Sequence, residues 1–384
     1  MCSNYLFKFC TRNFITKFFI HRSTTKLVGE LQKKITGTDL EELPAFPVPS
    51  CQPIHHIYFL RTHKTGSSTL GTIILSYGVR KNHKIVLEPD LADMHWPAPL
   101  KLNQFSRLVK SDEAKIFVSH IRFNKGPVNS VFPKPDAKYI TIVRHPVSQF
   151  KSAWVYYSIS RLTHIPDNTI NTFLKSSDAL QEIQKRLNKS EFPERFFHFS
   201  NSNLYDMGLE QENIQNMKQV ESYIDKMERE FDLVMITEYF DESLILLKRL
   251  LCWEFQDIVY IKLRSKKKKI NFGKEVEKNI LTWNRADAIL YDHFNKTFWR
   301  KVREVGSMFD EELKTFRRVN QEYQESCKST EDQKCKLSKR NPCDIFEQLW
   351  KKRGYKYSGP GCGPWARREI AKWRRRMNLT SEIT

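Results

Sequence analysis

The chain has 384 residues, enough for one large domain or two small ones with a sizeable core. Its 64 Lys and Arg against 44 Asp and Glu leave a formal net charge of +20, so its partners are anionic: a phosphate-rich nucleotide, a sulfated glycan, a membrane surface or nucleic acid. Aromatic residues make up 12% of the sequence, which excludes a disordered basic protein.

The first 26 residues hold apolar pieces, Tyr5 to Phe9 and Phe14 to Ile20, but Lys8, Arg12 and Lys17 interrupt them. No run approaches the roughly 20 residues that cross a bilayer, and a weak signal-anchor, an interfacial basic helix, a mitochondrial-type presequence and a misassigned first exon all fit. From Ser23 to Pro53 the chain is polar and then proline-dotted, the composition of a stem. We therefore expect an N-terminal segment and stem over 1–50, a folded domain over 51–326, and a cysteine-containing basic tail over 327–384.

Within the domain, short runs that are apolar on both faces predict buried parallel strands at Ile57 to Leu60, Ile116 to Ser119, Tyr139 to Val143 and Leu233 to Thr237. Helical patterns follow the first strand (Ser68 to Tyr77), the third (Pro146 to Tyr157) and the fourth (Asp241 to Leu251). In the last of these, Leu244, Leu247 and Leu251 form a core stripe. Glu275 to Cys327 also reads as largely helical, with Trp283, Tyr291, Phe294, Phe298 and Trp299 expected to pack on the sheet. No internal repeat is visible, and the alternation predicts an α/β fold with a central parallel sheet flanked by helices.

The eight cysteines lie at 2, 10, 51, 252, 327, 335, 343 and 362 with no CxxC pair and no zinc-type spacing, so no metal site is expected. The late cluster from Cys327 to Cys362 suits either disulfides in an oxidising compartment or free thiols. Glycosylation triplets begin at Asn188, Asn295 and Asn378. The basic runs Arg264 to Lys269 and Ala366 to Met377 read as solvated surface, or as attraction to anionic lipid or glycan. No motif supports nucleic-acid binding.

Two segments carry chemistry. In IYFLRTHKTGSST (Ile57 to Thr69) a strand meets a Gly/Ser/Thr-rich turn and then a helix. Gly66 permits a turn with inward amides, the helix start adds unpaired donors, Lys64 supplies a cation, and Thr65, Ser67, Ser68 and Thr69 supply hydroxyls. Because Lys64 precedes Gly66, the nucleoside triphosphate pattern GxxxxGK[ST] is not met, which argues against a kinase. In YITIVRHPVSQFKSAW (Tyr139 to Trp154) a strand ends in Arg144, Pro146 opens a helix, and Ser152 lies two turns on, so Arg144 and Ser152 can grip a second phosphate. An ordinary strand-to-helix turn, and an arginine paired with a surface carboxylate, would share each pattern taken singly.

Together, FLRTHKTGSSTL (from Phe59), VSHIRFN (from Val118), ITIVRHP (from Ile140), EYFDESLILLKRLLCWE (from Glu238) and LYDHFNKTFWRKV (from Leu290) resemble the galactose-3-O-sulfotransferase family in sequence and order. The resemblance implies a P-loop-like sulfotransferase domain that takes 3′-phosphoadenylyl sulfate (PAPS) as co-substrate without a metal. It places the 5′-phosphosulfate on Lys64 to Thr69 and the 3′-phosphate on Arg144 and Ser152. It further implies a Golgi enzyme with a lumenal catalytic domain, working at a membrane surface on the 3-OH of galactose in a glycolipid or glycan, and it matches Asn295 to a family acceptor triplet. His63 and His120 match positions implicated in catalysis. His120, ending the second strand, is the first choice as base and His63 the second, with Lys64 stabilising the departing oxygen. Arg144-His145-Pro146 departs from the family's Arg-Asp-Pro, the N-terminus lacks the clear transmembrane anchor of a type II Golgi enzyme, and the tail after Cys327 has no named counterpart. A different sugar acceptor, or a binding protein of the same fold without turnover, are the competing readings.

Overall fold

The computed structural model describes residues 51–86, 96–101, 115–261 and 270–329. The stem, the Arg264 to Lys269 run, the basic tail, Asn378 and the cysteines at 2, 10, 335, 343 and 362 lie outside these residues. The chain divides into two units between Ser50 and Cys51, and all described residues belong to the second.

Four parallel strands form the sheet: β1 (Ile57–Leu60), β2 (Ile116–Ser119), β3 (Lys138–Val143) and β4 (Leu233–Ile236), in the order β2-β1-β3-β4. Leu60 is level with Ser119 on one side and Thr141 on the other, and Val143 is level with Ile236. The carboxyl ends therefore share one edge. From β1 the chain goes to β2 on one side and then returns to β3 on the other, which makes the gap above β1 and β3 the switch point where open α/β sheets bind ligands.

The helices are α1 (Ser67–Arg80), α2 (Lys125–Val131), α3 (Pro146–Tyr156), α4 (Ala179–Asn188), α5 (Met217–Glu230), α6 (Phe240–Leu251), α7 (Lys274–Trp283), α8 (Arg285–Val305) and α9 (Met308–Ser329), with shorter turns between them. The α/β parallel-sheet expectation holds, and so does the helix after each of β1, β3 and β4. The fourth strand stops one residue short of Thr237. That residue instead opens a 3-10 turn, its hydroxyl donating to the carbonyls of Thr65 and Val143.

Two apolar clusters fill the interior. The larger surrounds the sheet and takes Leu244, Leu247 and Leu251 of α6 with Leu290, Phe294 and Phe298 of α8. The smaller lies on the far side of α3, where Val147, Phe150 and Trp154 meet Ile183 and Leu187 of α4 and Val276 and Ile280 of α7. Trp283 packs against this second cluster rather than against the sheet, because α7 turns away to cover α3.

A disulfide joins Cys51 to Cys252 at the end of α6, with a Cα separation of 5.9 Å across 201 positions of sequence. Cys327 is also disulfide-bonded. Asn188 is exposed at the end of α4, whereas Asn295 is half-buried within α8.

Candidate active site

The turn after β1 is held mainly by its own hydroxyls. Thr62 Oγ1 lies 2.8 Å from Thr65 Oγ1 and donates to the Ile142 carbonyl, while Ser67 Oγ donates to the Thr62 carbonyl at 2.7 Å. Thr65 and Ser67 are buried, so their side chains build the turn, whereas Ser68 is exposed and Thr69 half-buried. Lys64 and Gly66 both adopt positive φ, 63° and 78°. For Gly66 the angle itself is the requirement, since an added Cβ would meet nothing nearer than Thr237 Cγ2 at 3.6 Å. Gly66 caps α1 without any side-chain hydrogen bond, which leaves the first amides of a 14-residue helix directed at the sheet edge.

Arg144 closes the turn from β3, its Nη1 donating to the Lys64 carbonyl at 3.1 Å. The segments carrying the two cationic residues thus touch at the carboxyl edge of the sheet, through the Lys64 backbone. Burial lowers the Arg144 pKa from its ordinary value, and its Nε is buried with no partner among the described residues. Ser152 is half-buried two turns along α3. Farther along that helix is Tyr156, the one exposed large hydrophobic side chain among the described residues, and Lys64 Nζ lies 3.3 Å from its ring centre. His145, the departure from the family pattern, donates its backbone N–H to Glu238 at 3.2 Å and turns its ring edge-on to Tyr291.

The two histidines singled out in the sequence are in contact. Their rings stack with centres 4.3 Å apart and 17° between planes. His120 Nδ1–H donates to the Arg61 carbonyl at 2.8 Å. Burial chiefly, then the charges of Arg61 and His63, hold the His120 pKa well below its ordinary value. His63 Nδ1 lies 2.9 Å from both carboxylate oxygens of Asp206, and its backbone N–H donates to Asp206 Oδ2 at 2.7 Å.

Several neighbours carry no sequence motif. Asp206 is fully buried and also accepts from Trp96 Nε1 at 2.9 Å. His198 lies between Trp96 and Tyr157, with ring centres 4.2 and 4.0 Å away, and sits 4.4 Å from His63. Its pKa is held well below the ordinary value by burial first and then by His63 and Arg195. Gln149 of α3 bridges the carbonyls of His63 and His198 at 3.3 and 2.6 Å. Arg61, nearly buried, donates to Ser68 Oγ at 3.1 Å. Arg61 and Gln149 do lie inside the two segments IYFLRTHKTGSST and YITIVRHPVSQFKSAW, but nothing in the spacing marks either residue there. The others come from 96–206, where no spacing rule connects them to the turn.

The backbone places Asp206 through Gly208. With φ at 99°, a Cβ on Gly208 would lie 2.3 Å from the Phe123 carbonyl oxygen, so only glycine permits the turn after 202–206 to close on the strand-end segment. Phe123 N–H donates to the Asp206 carbonyl at 2.9 Å across that contact. Behind it, buried Asp287 of α8 accepts from the backbone amides of Asn203 and Leu204 at 2.9 Å each and from Asn203 Nδ2 at the same distance. Burial outweighs these bonds and raises the Asp287 pKa to about 6.

A parallel sheet whose switch point carries a glycine-bent turn, a helix start without a side-chain cap and a buried arginine is an α/β domain whose carboxyl edge has the chemistry for an anion. The family profile described as Galactose-3-O-sulfotransferase matches residues 15–341, and the chain belongs to that family. It is 32% identical to the galactosylceramide sulfotransferase of Bos taurus over 72% of this chain and 65% of that protein. It is also 30% identical to galactose-3-O-sulfotransferase 3 of Mus musculus, over 76% of this chain and 69% of the relative. With the galactosylceramide sulfotransferase of Homo sapiens the identity is 32%, over 72% and 65%. The chain thus spans about two thirds of the length of the curated relatives it matches. No solved structure matches it. Among the described residues, no group of three or more His, Cys, Asp or Glu could hold a metal ion, and no helix is long and apolar enough to cross a membrane.

Proposed function

We propose that the protein transfers the sulfuryl group of PAPS to the 3-OH of a galactose on a glycolipid or glycan, and that the catalytic unit is 51–326. The observation that carries this reading is the meeting of Lys64, Arg144, His63 and His120 at one switch point, from three strands. The residues fit the donor. The uncapped start of α1 with Lys64 to Thr69 suits the 5′-phosphosulfate, and the unpartnered buried Nε of Arg144 suits the 3′-phosphate, with Ser152 on the helix that follows it. PAPS supplies a sulfuryl group on an anhydride-type oxygen whose departure leaves 3′,5′-ADP.

Sulfuryl transfer, like phosphoryl transfer, asks the protein mainly for alignment and for donors where charge develops. The α1 amides face the sulfuryl oxygens, and Lys64 stabilises the departing oxygen. A base drawn from the stacked His63 and His120 takes the acceptor proton. We place this work in the Golgi lumen at a membrane surface; the Cys51–Cys252 disulfide and the exposed Asn188 triplet support the secretory part of that reading.

The test is a panel of β-galactosides with labelled PAPS in metal-free buffer. Transfer to galactose is expected, with a loss of about 1000-fold in Lys64→Ala. Transfer confined to acceptors without galactose would refute the specificity, and retained activity in Lys64→Ala would refute the role of the loop.

A further inference from the structure

A fully buried carboxylate needs partners for its charge, and the side chain of Asp206 finds them around His63: the His63 backbone N–H, the His63 ring and the indole of Trp96. Both Asp206 oxygens are acceptors, so the proton shared with the ring sits on His63 Nδ1. The lone pair of the neutral imidazole is then on Nε2, the orientation a general base needs. Three rings fix the plane of the imidazole, with His120 at 4.3 Å, His198 at 4.4 Å and the same Trp96 at 4.7 Å between centres.

His120 has the same tautomer but a different electrostatic setting. Its Nδ1–H is donated to a neutral backbone carbonyl, that of Arg61, and burial and then the Arg61 charge oppose a positive charge on the ring; by exposed surface His63 is the more buried of the two, so the difference between them is the carboxylate. A proton arriving at His63 is met by a carboxylate at 2.9 Å, whereas one arriving at His120 is met by cations.

We propose that Asp206 is the positioning residue that makes His63, rather than His120, the proton acceptor, an inference that rests on the sulfotransferase reading above. In the step, a lone pair of the galactose hydroxyl oxygen forms the new bond to sulfur and the hydroxyl proton passes to His63 Nε2. The bond from sulfur to the 5′-phosphate oxygen breaks with its electron pair on that oxygen, beside Lys64, giving sulfated galactose and 3′,5′-ADP. The His63 imidazolium returns its proton to solvent once the products leave. The His120 ring serves as the flat wall against which His63 is held.

Asp206 also ties the turn after β1 to 202–206, so a purely structural role must be separated from a catalytic one. Asp206→Asn keeps an oxygen acceptor but offers the ring the wrong partner. We expect kcat to fall at least about 100-fold, while the KM for PAPS and the affinity for 3′,5′-ADP stay within about twofold. In a His63→Ala background the same change should cost less than about threefold more, because the two residues act as one unit. Full kcat in Asp206→Asn, losses that multiply in the double variant, or a loss of 3′,5′-ADP affinity as large as the loss of kcat would each overturn the proposal. Should Asp206→Asn fail to fold, the single variants decide: at least about 100-fold loss in His63→Ala with less than about 10-fold in His120→Ala supports it, and the reverse order overturns it. Absence of PAPS-dependent turnover in the wild type with every galactoside would instead remove the sulfotransferase reading.

Discussion

The anion cradle and the surroundings of His63 are built in opposite ways. The cradle draws its inner bonds from neighbours in sequence, with Thr62, Thr65 and Ser67 bonding to one another and Gly66 turning the chain, and only its outer ties to Ile142, Arg144 and Thr237 come from other strand ends. His63, one position before Lys64, is held by residues brought from far away, since Asp206 is 143 positions distant and His198 stacks between rings from 96 and 157. Backbone amides and hydroxyls can present phosphate donors locally. A directed proton acceptor needs a buried charge and fixed rings, and those come only from packing.

Gly208 offers the strongest test of this contrast. An alanine there would place its Cβ 2.3 Å from a backbone oxygen at a φ of 99°, so the 206–208 turn has to move. We expect Gly208→Ala to destabilise the fold by about 3 kcal/mol in urea unfolding. At a temperature where it remains folded, 3′,5′-ADP binding should survive better than turnover. Equal loss of both would show that the two halves of the site do not separate.

A smaller effect is expected from Asp287, which supports the same distant half. Its folded-state pKa of about 6 lies above the unfolded value of 3.8, so the native state binds more protons between them and its contribution to stability falls as pH rises through that window. The unfolding free energy of the wild type relative to Asp287→Asn should therefore increase by about 2 kcal/mol from about pH 7 to about pH 4.5. A difference that is flat or of opposite sign would remove the buried-carboxylate account.

The smallest effect concerns the cradle half, where the ammonium of Lys64 lies against the exposed ring of Tyr156. A cation–π contact of about 1 kcal/mol restricts the lysine without competing for an anion. Tyr156→Leu should raise the KM for PAPS about fivefold, and Tyr156→Phe should restore it. Identical kinetics in the two variants would mean that the ring does not position Lys64.

Much of the fold is legible in the order of the residues. Strands β1 and β2 fall on their expected bounds, and the helices after β1, β3 and β4 on theirs to within about three residues, because buried parallel strands and leucine stripes are local patterns. The region between Ser158 and Asp232 is not legible in the same way. Its longer helices, α4 and α5, are plainly amphipathic, but His198, Asn203 and Asp206 come from short turns at 193–198 and 202–206 that are too brief to show a period. The pairing of Cys51 with Cys252 is equally hidden, as connectivity does not follow from spacing.

Contiguous residues suffice to specify the α/β class, the glycine-bent turn after β1, the arginine at the end of β3 and the family, since the chemistry and backbone preferences behind each act locally. Which histidine has a carboxylate behind it, and that Arg144 closes onto the backbone of Lys64, emerge only on folding. Burial and long-range hydrogen bonds make those choices, and both depend on which distant segments the folded core brings within about 3 Å of one another.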